Sequence, residues 1–320
     1  MKRITDFISS CSMLQPGTKV LCAVSGGADS VCLLHWLSSH SEELEIEVEA
    51  AHFEHGIRGE ESVRDMEFVM HLCEEWNIPL TVERALVPAY AGEHSLGIEE
   101  AARNLRYDFL YRTARKRGCT RIATAHNADD NVETVLFNLA RGTGLSGLCG
   151  IPPVRDQIVR PLLTTSRREI EEYLSENGLP HVEDSTNENT EYSRNRIRRE
   201  VVPVLRELNP NLEAAVSRMS GLLRSDEEYL DLLAGEFIKE FYNGESVPSK
   251  RLAALPEPVK SRVIRQLCPN PLSLVHVSDI AKLAEGTELA FIDVPGARIR
   301  RQRGKIYFTD PPAPKKVQKK

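Results

Sequence analysis

Ser25-Gly26-Gly27-Ala28-Asp29-Ser30 stands between an apolar run and a segment of helical length. The apolar run, residues 19–24, is bounded by Pro16-Gly17 and is typical of a fully buried strand. Residues 31–40 follow as a helix candidate. A strand that ends in such a turn and continues as a helix leaves several backbone N–H groups unpaired at the positive end of the helix dipole. The pattern therefore predicts a phosphate-binding turn, with an ordinary tight turn as the alternative.

The side chains of this turn suit a nucleotide. Gly26 and Gly27 allow a ligand to approach the backbone closely. Ser25 and Ser30 add hydroxyl donors. Asp29 supplies a carboxylate that fits a Mg²⁺ ion shared with phosphates better than it fits phosphate itself. No Lys-Ser/Thr pair follows the glycines, so this is not a Walker loop.

Length and composition limit the classes of protein to consider. A chain of 320 residues predicts two domains at roughly 150 residues each. No apolar run approaches the roughly 18 residues of a membrane span, so we expect no membrane segment. Seven scattered cysteines without a C-x-x-C pair favour reduced thiols in a cytoplasmic protein and argue against a zinc or iron–sulfur site. Because the formal net charge is −6, RNA binding would need local basic patches.

Strand and helix patterns alternate along the first two thirds of the chain. This alternation predicts an α/β fold with a doubly wound parallel sheet, whose ligands gather at the carboxyl ends of the strands. Residues 207–310 are predicted to form a smaller, mainly helical domain, and 311–320 a disordered basic tail. The predicted strands are 19–24, 45–53, 80–86, 121–125 and 158–163, and the predicted helices between and after them are 31–40, 61–77, 98–117, 131–141 and 166–178.

A second candidate site, residues 126–134, follows the fourth predicted strand. His126, Asp130 and Glu133 are spaced so that they can face the same way where the next helix begins. In a parallel sheet this segment opens onto the same edge as the glycine turn. Its acids could bind a cation, hold a substrate ammonium or act as a base. The alternative is an acidic helix N-terminus that merely suits the helix dipole.

Two other motifs look functional but have weaker support. His52 and His55 resemble a metal pair, yet they end a strand rather than sharing a helix face, and no further ligands are evident. We interpret them as the rim of the nucleotide site, with Arg58 available for phosphate or RNA. Residues 142–147 match the dinucleotide fingerprint, but they follow a helix rather than a strand, so we expect a flexible loop at the cleft.

Two basic segments could contact a phosphate backbone. The first contains Arg194, Arg196, Arg198 and Arg199, and the second is residues 298–305. Either segment alone would usually be a solvated charged face. On an acidic chain the two together predict an RNA partner.

These motifs together resemble the tRNA(Ile)-lysidine synthetases of the N-type ATP pyrophosphatase, or PP-loop, superfamily. The resemblance extends over about residues 18–205, in the order expected for that family, and the chain looks like a short form of it. Glu54 and Ile57 depart from the Asn and Leu that the family often has. The matching elements are Ser-Gly-Gly-x-Asp-Ser at 25–30, His52-x-x-His-Gly-Ile-Arg-Gly-Glu-Glu-Ser62, Glu100-Ala-Ala-Arg-Asn-Leu-Arg-Tyr107, His126-x-x-Asp-Asp-x-x-Glu-Thr134, Arg141-Gly-Thr-Gly-x-x-Gly-Leu-x-Gly-Ile-Pro152, and Asp184-Ser-x-Asn187 through Arg194-Asn-Arg-Ile-Arg198.

The resemblance implies an enzyme and a division of labour. Members of the family use ATP to adenylate the C2 oxygen of the wobble cytidine, position 34, of a CAU-anticodon tRNA(Ile), and free L-lysine then displaces AMP. Residues 1–206 would be the catalytic domain and 207–310 a tRNA-binding domain. By resemblance, Ser25 through Ser30 bind the phosphates of ATP, with Asp29 on Mg²⁺; His126, Asp130 and Glu133 hold and deprotonate lysine; Arg103 or Arg106 stabilises charge on the adenylate; and Arg58, Arg194, Arg196, Arg198 and Arg199 bind tRNA.

Two alternatives remain open from the sequence. A tRNA-thiolating enzyme on the same loop would normally need a cysteine pair or an iron–sulfur cluster, and the cysteines here are scattered. A non-catalytic RNA-binding relative would be expected to have degraded loops, whereas Asp29, Asp130 and Glu133 are all in place. The sequence leaves the oligomeric state open, with a homodimer as one option.

Overall fold

The computed structural model describes residues 2–56, 60–182, 195–286 and 290–309. The chain divides into two compact units, Met1–Gly221 and Leu222–Lys320. In the first unit the elements are α1 (Lys2–Ser10), β1 (Lys19–Ala23), α2 (Ala28–Ser39), β2 (Glu47–Glu54), α3 (Glu60–Glu75), β3 (Leu80–Arg84), α4 (Val87–His94), α5 (Ile98–Arg117), β4 (Arg121–Ala123), α6 (Ala128–Ala140), α7 (Leu145–Leu148), β5 (Val154–Arg155), β6 (Ile158–Val159), α8 (Arg167–Glu176), a π-helical turn (Ile197–Val201), α9 (Val202–Leu208) and the start of α10 (Leu212–Phe241).

The first unit is built on a six-stranded sheet with the order β3-β2-β1-β4-β6-β5. Every neighbouring pair is parallel except β5 and β6, which pair antiparallel at one edge. The strand order reverses between β1 and β4, because β2 and β3 extend the sheet to one side of β1 and β4 lies on the other. In doubly wound sheets this switch point is where ligands bind. The predicted α/β fold is confirmed.

Alternation along the strands gives the sheet two apolar faces. Val20 and Cys22 of β1 pack with α1, α2, α3 and α8, whereas Leu21 packs with α4 and α5. β6 follows the same rule, with Ile158 on the α5 face and Val159 on the α2 face. Period-two side-chain alternation therefore assigns each strand residue to one helical layer.

The second unit combines helices with a small sheet. It continues α10 and adds β7 (Ser246–Pro248), α11 (Ser249–Ala253), α12 (Glu257–Leu267), α13 (Leu274–Glu285), β8 (Ala290–Val294), β9 (Ala297–Gln302) and β10 (Lys305–Thr309). The sheet is antiparallel with the order β7-β10-β9-β8. Tight turns at Pro295-Gly296 and Arg303-Gly304 connect β8 to β9 and β9 to β10, so this mainly helical region also contains a sheet. No described helix is both long and apolar enough to cross a membrane.

Several element boundaries differ from the sequence prediction. α2 begins at Ala28 and α6 at Ala128, each three residues before the predicted start, because the capping turns themselves are helical. The pattern did not predict α4, which lacks the amphipathic spacing of a surface helix. Residues 142–147, predicted to be a flexible loop, lead into the helical turn α7. The predicted tail, residues 311–320, lies outside the described residues.

Candidate active site

The turn after β1 has the backbone geometry of an anion site. Gly26 has a φ of +97°, which favours glycine, and a Cβ there would lie 3.4 Å from Val69 Cγ2. Gly27 is the N-cap of α2. Val182 closes the other side of the turn, because its N–H donates to the Gly26 carbonyl at 2.9 Å. The turn is therefore bounded by α3 on one side and by Val182 on the other.

Backbone donors of the turn converge on the Ser30 hydroxyl. Ser30 Oγ accepts from the N–H groups of Ser25 (3.1 Å) and Gly26 (3.2 Å), and it donates to the Gly27 carbonyl at 2.9 Å. The first N–H groups of α2 add donors without intrahelical acceptors. An oxygen atom thus already lies where these donors meet. A phosphate oxygen in the same place would receive the same bonds.

Asp29 is the acid of this turn. Its Oδ1 is buried and has no hydrogen-bond partner among the described residues. Burial raises the pKa of the Asp29 carboxyl, while Arg167, the Asn127 side chain and Arg198 oppose that rise. An orphaned buried carboxylate oxygen fits a divalent cation, which accepts one or two carboxylates when phosphates supply further ligands. In the described part of the chain no group of three His, Cys, Asp or Glu side chains could hold a metal by itself.

The start of α6 carries the second acid cluster. Asn127 Oδ1 accepts from the Asp130 N–H at 2.9 Å, and Asp130 Oδ2 accepts from the Asn127 N–H at 3.0 Å, which makes a reciprocal capping box. Burial raises the pKa of Asp130 to about 6, and the nearby charges of Asp29 and Glu133 contribute to the rise. Since Asp29 follows β1 and Asp130 follows β4, the structure brings these two carboxylates together at the switch point. A carboxylate in such a setting can accept a proton near neutral pH.

Arginine residues that follow β6 support this acidic cluster, two through their side chains and one through its backbone. Arg198 Nε lies 3.3 Å from Glu133 Oε1, so this predicted tRNA contact is directed at the cluster. Asp129 Oδ2 accepts from the Arg167 N–H at 2.8 Å, and Asp129 Oδ1 pairs with Arg206. Asp129 is therefore neutralised by fixed partners, whereas its neighbour Asp130 has a raised pKa.

The histidines of the two motifs have different environments. His126 Nδ1 lies 3.1 Å from Thr124 Oγ1 at the end of β4. His52 is buried within β2, its Nδ1 is 2.9 Å from the Val24 carbonyl, and burial lowers its pKa. A neutral His52 that donates to Val24 fixes the backbone just before the phosphate turn. His52 thus acts on the site through the loop.

Arginines on the α5 side form a third cluster. The ring of Tyr107 lies beneath two guanidinium groups, with Arg103 Cζ at 5.0 Å and Arg106 Cζ at 5.5 Å from its centroid. Arg160, which follows β6, is 4% exposed and donates from Nη1 to the Pro152 carbonyl at 2.6 Å. The sequence prediction included Arg103 and Arg106 but missed Arg160, because a single arginine after a short strand gives no pattern.

The predicted basic segments are only partly described. Arg58 and Arg194 lie outside the described residues. Arg196 is exposed and pairs with Glu200 at 2.7 Å, and Arg199 is also exposed. In the second unit Arg298 pairs with Asp293 and lies over the Phe291 ring at 4.5 Å, while Arg300 lies over the Tyr307 ring at 5.0 Å. Arginine stacked on an exposed aromatic ring is a surface that can also receive nucleic-acid bases.

Comparison with known proteins agrees with the fold and the loop. A family model described as a PP-loop domain matches residues 1–205. The solved structure of the U34-tRNA thiolase NcsA from Methanococcus maripaludis superposes with a TM-score of 0.58 at 18% identity, covering 70% of this chain and 78% of that one, and it supports the fold alone. The parallel sheet, the switch point and the glycine turn thus define a PP-loop domain.

Curated relatives narrow this class further. The tRNA(Ile)-lysidine synthase of Thermotoga maritima is 44% identical over 238 residues, which are 73% of this chain and 57% of that protein. The tRNA(Ile)-lysidine synthase of Geobacillus kaustophilus is 35% identical over 324 residues, covering 96% of this chain and 70% of that protein. The chain therefore belongs to the tRNA(Ile)-lysidine synthase family. It matches 57% of the length of the Thermotoga relative.

Proposed function

We propose that this chain is an ATP-dependent ligase that joins free L-lysine to C2 of the wobble cytidine, position 34, of the tRNA(Ile) with a CAU anticodon. The observation that carries the proposal is the meeting of Asp29 and Asp130 beside the phosphate turn, at the switch point of the sheet. The names of the curated relatives supply the substrate class. The reaction would take place in the cytoplasm.

The first step activates an oxygen that is a poor leaving group. The C2 oxygen of the cytidine attacks the α-phosphorus of ATP, and pyrophosphate leaves. The departing phosphates would be held by backbone and hydroxyl donors of the turn, which belong to Ser25, Gly26, Gly27, Ala28 and Ser30. Arg103 or Arg106 would stabilise the charge on the adenylate.

The second step replaces AMP by lysine. The ε-amine attacks C2, the C–O bond to AMP breaks, and the amine loses its proton. Because a free lysine ammonium has a pKa of about 10.4, a carboxylate must hold it and accept the proton. Asp130, with its pKa raised to about 6, and Glu133 are the acids placed for this, with His126 beside them.

A Mg²⁺ ion would be held by Asp29, at the end of the phosphate turn. When bound, the ion neutralises charge on the phosphates of ATP. The orphaned Asp29 Oδ1 is the structural support for this assignment.

RNA contacts would come from the basic segments. Arg196 and Arg199 are exposed and would bind backbone phosphates, together with Arg58 and Arg194. Because Arg198 pairs with Glu133, this arginine would contact only the part of the tRNA that reaches the acidic cluster. Residues 1–206 would carry the chemistry, and residues 207–310 would bind the tRNA body.

The test combines purified protein, ATP, Mg²⁺, labelled lysine and a CAU-anticodon tRNA(Ile) transcript. We expect stable label on the RNA and one AMP released per lysine transferred. Asp130→Asn should reduce lysine transfer by at least about 100-fold and leave ATP binding intact. Asp156→Asn, an exposed turn residue, is the matched control and should match the wild type.

Three results would contradict the proposal. Equal label on the CAU-anticodon tRNA(Met) would remove the substrate assignment. Release of ADP instead of AMP would remove the adenylate step. Loss of ATP binding in Asp130→Asn would mean that this acid serves the nucleotide rather than lysine.

A further inference from the structure

Arg160 is a buried cation with incomplete hydrogen bonding. It is 4% exposed, its Nη1 donates to the Pro152 carbonyl, and its Nε has no hydrogen-bond partner among the described residues. A buried charge without an opposite charge is unfavourable, so folded proteins rarely keep one without a use. The free edge of this guanidinium is therefore suited to an anion.

Its neighbours extend the same unsatisfied site. The buried Tyr107 hydroxyl lies against the guanidinium groups of Arg106 and Arg160 and interacts with both, and in the described part of the chain no carboxylate or carbonyl accepts its proton. Within that part, none of Arg103, Arg106 and Arg160 pairs with a carboxylate. Arg103 is exposed, Arg106 half-buried and Arg160 buried. The cluster thus runs from the surface into the interior, with donors at its inner end.

The sheet places this cluster next to the acids. β4 and β6 pair in parallel, with Ala123 opposite Val159, and the Thr124 N–H donates to the Val159 carbonyl at 3.0 Å. Thr124 and Arg160 therefore follow their strands side by side, at a strand spacing of about 4.8 Å. Thr124 in turn contacts His126. Along the carboxyl edge of the sheet, the phosphate turn therefore follows β1, the acids follow the neighbouring strand β4, and Arg160 follows β6 beyond it.

We propose that Arg160, Arg106 and Tyr107 bind the α-carboxylate of the lysine co-substrate, which leaves Arg103 as the arginine that would stabilise charge on the adenylate. This inference rests on the proposed function, in which Asp130 and Glu133 hold the ε-amine. That amine must point toward the adenylate on the β1 side. The far end of the lysine molecule then points toward β6, where the arginines lie.

The chemistry of the cluster favours a terminal carboxylate over a phosphodiester. Arg160 Nε is shielded from solvent, so a phosphate flanked by two sugars could not reach it. A carboxylate at the end of a flexible chain can enter and take two parallel bonds from one guanidinium. The phosphate turn begins α2, which packs on the opposite face of the sheet from Tyr107. The phosphates of ATP are therefore assigned to that turn.

The test compares lysine with 1,5-diaminopentane, which is lysine without its carboxylate. Arg160→Met should raise the KM for lysine about 10–100-fold, as expected for losing a charged hydrogen bond. The KM for ATP, the adenylation of tRNA without lysine and the reaction with 1,5-diaminopentane should stay within about twofold. Arg160→Lys should recover part of the loss, and Tyr107→Phe should raise the KM for lysine severalfold. Arg115→Met, at an exposed arginine of α5, is the control that should change nothing.

Other outcomes are equally decisive. An unchanged KM for lysine in both Arg160→Met and Tyr107→Phe would overturn the inference, and so would a raised KM for ATP with slow adenylation. If Arg160→Met does not fold, Tyr107→Phe decides the matter. Failure of the proposed function would instead appear in the wild type, as RNA that receives AMP but never lysine. In that case the carboxylate site is tested by titrating the wild type and Tyr107→Phe with lysine and with 1,5-diaminopentane. If the wild type binds the two compounds with equal affinity, the carboxylate site is refuted.

Discussion

Asp130 combines two roles that oppose each other energetically. Its Oδ2 caps α6 by accepting the Asn127 N–H, which stabilises the helix by about 1 kcal/mol. Its negative charge is unfavourable, because burial and the neighbouring charges of Asp29 and Glu133 raise its pKa to about 6. An ordinary Asp has a pKa near 3.9, so the shift corresponds to about 1–3 kcal/mol. The charge penalty is the larger effect in the unliganded protein.

Asp130→Asn should therefore stabilise the unliganded protein at pH 8. Asparagine keeps an oxygen that can accept the Asn127 N–H but carries no charge, so we expect a free energy of unfolding about 1–3 kcal/mol higher than that of the wild type. The substitution also removes the favourable interaction between the Asp130 charge and the helix dipole, which is worth about 0.3–1 kcal/mol. This loss reduces the expected gain in stability but does not reverse it.

The pH dependence follows from the direction of the shift. Between about pH 4 and pH 6 folded Asp130 holds a proton that the unfolded chain has released, so wild-type stability falls as pH rises through this window. The advantage of Asp130→Asn should accordingly shrink below pH 5. Urea unfolding at pH 4.5 and pH 8 measures this, with Asp156→Asn as control. A variant less stable than wild type at pH 8 would contradict the argument.

At the scale of elements, α6 also holds the loop that follows it. Asn131 Oδ1 accepts from the Ile151 N–H at 2.8 Å, and the Asn138 side chain donates to the Gly147 carbonyl at 2.9 Å. Gly150 lies between these anchors with a φ of +67°, and a Cβ there would lie 2.2 Å from Asn131 Oδ1. The glycine-rich segment after α6 is thus part of the support for the helix that carries Asp130.

Gly150→Ala should destabilise the protein more than Gly118→Ala. Both glycines have left-handed backbones, with φ of +67° and +72°, but a Cβ on Gly118 would meet nothing within 4 Å. Gly118→Ala should cost about 1–2 kcal/mol for the backbone alone. Gly150→Ala should cost about 1–3 kcal/mol more, because it displaces Asn131 from the Ile151 N–H. Equal losses in urea unfolding would mean that the loop relaxes without moving α6.

At the scale of the whole molecule, the boundary of the first unit decides which residues belong with the candidate active site. The predicted catalytic domain ends at residue 206, whereas the compact unit extends to Gly221. The additional residues include Glu213, which pairs with Arg206, and Ser220, which accepts from Asn131 at 3.4 Å. Because Arg206 also pairs with Asp129, these contacts join the start of α10 to Asp129 and Asn131, the two residues that flank Asp130 in α6. The first unit therefore needs the start of α10 to complete its site.

A fragment of residues 1–221 should fold cooperatively and bind ATP, because the sheet and its two apolar layers lie entirely within it. A fragment of residues 1–206 should be about 1–4 kcal/mol less stable, since it loses the partners of Arg206 and Asn131. Urea unfolding and ATP titration of both fragments are the measurements. Equal stability would place the boundary at 206, as the sequence predicts.

Local patterns determined much of this protein from the sequence alone. The phosphate turn at 25–30, the capping box of α8 at Ser166 and Glu169, and the helix from Ile98 to Arg117 each depend on neighbours a few residues apart. Such short-range geometry follows from backbone sterics and hydrogen bonding. The alternation of strands and helices likewise restricts the fold to a few topologies.

Tertiary structure alone decided which of these segments meet. The strand order placed Asp29 beside Asp130 and Arg160 beside Thr124, although more than 30 residues separate the members of each pair. The packing also pairs Asp129 with Arg206, whereas Asp130 is buried and has a raised pKa. Burial and charge environment depend on the three-dimensional neighbours of a side chain. The sequence thus identified the phosphate turn and the acids, and the packing of α5, β4 and β6 revealed the arginine site opposite them.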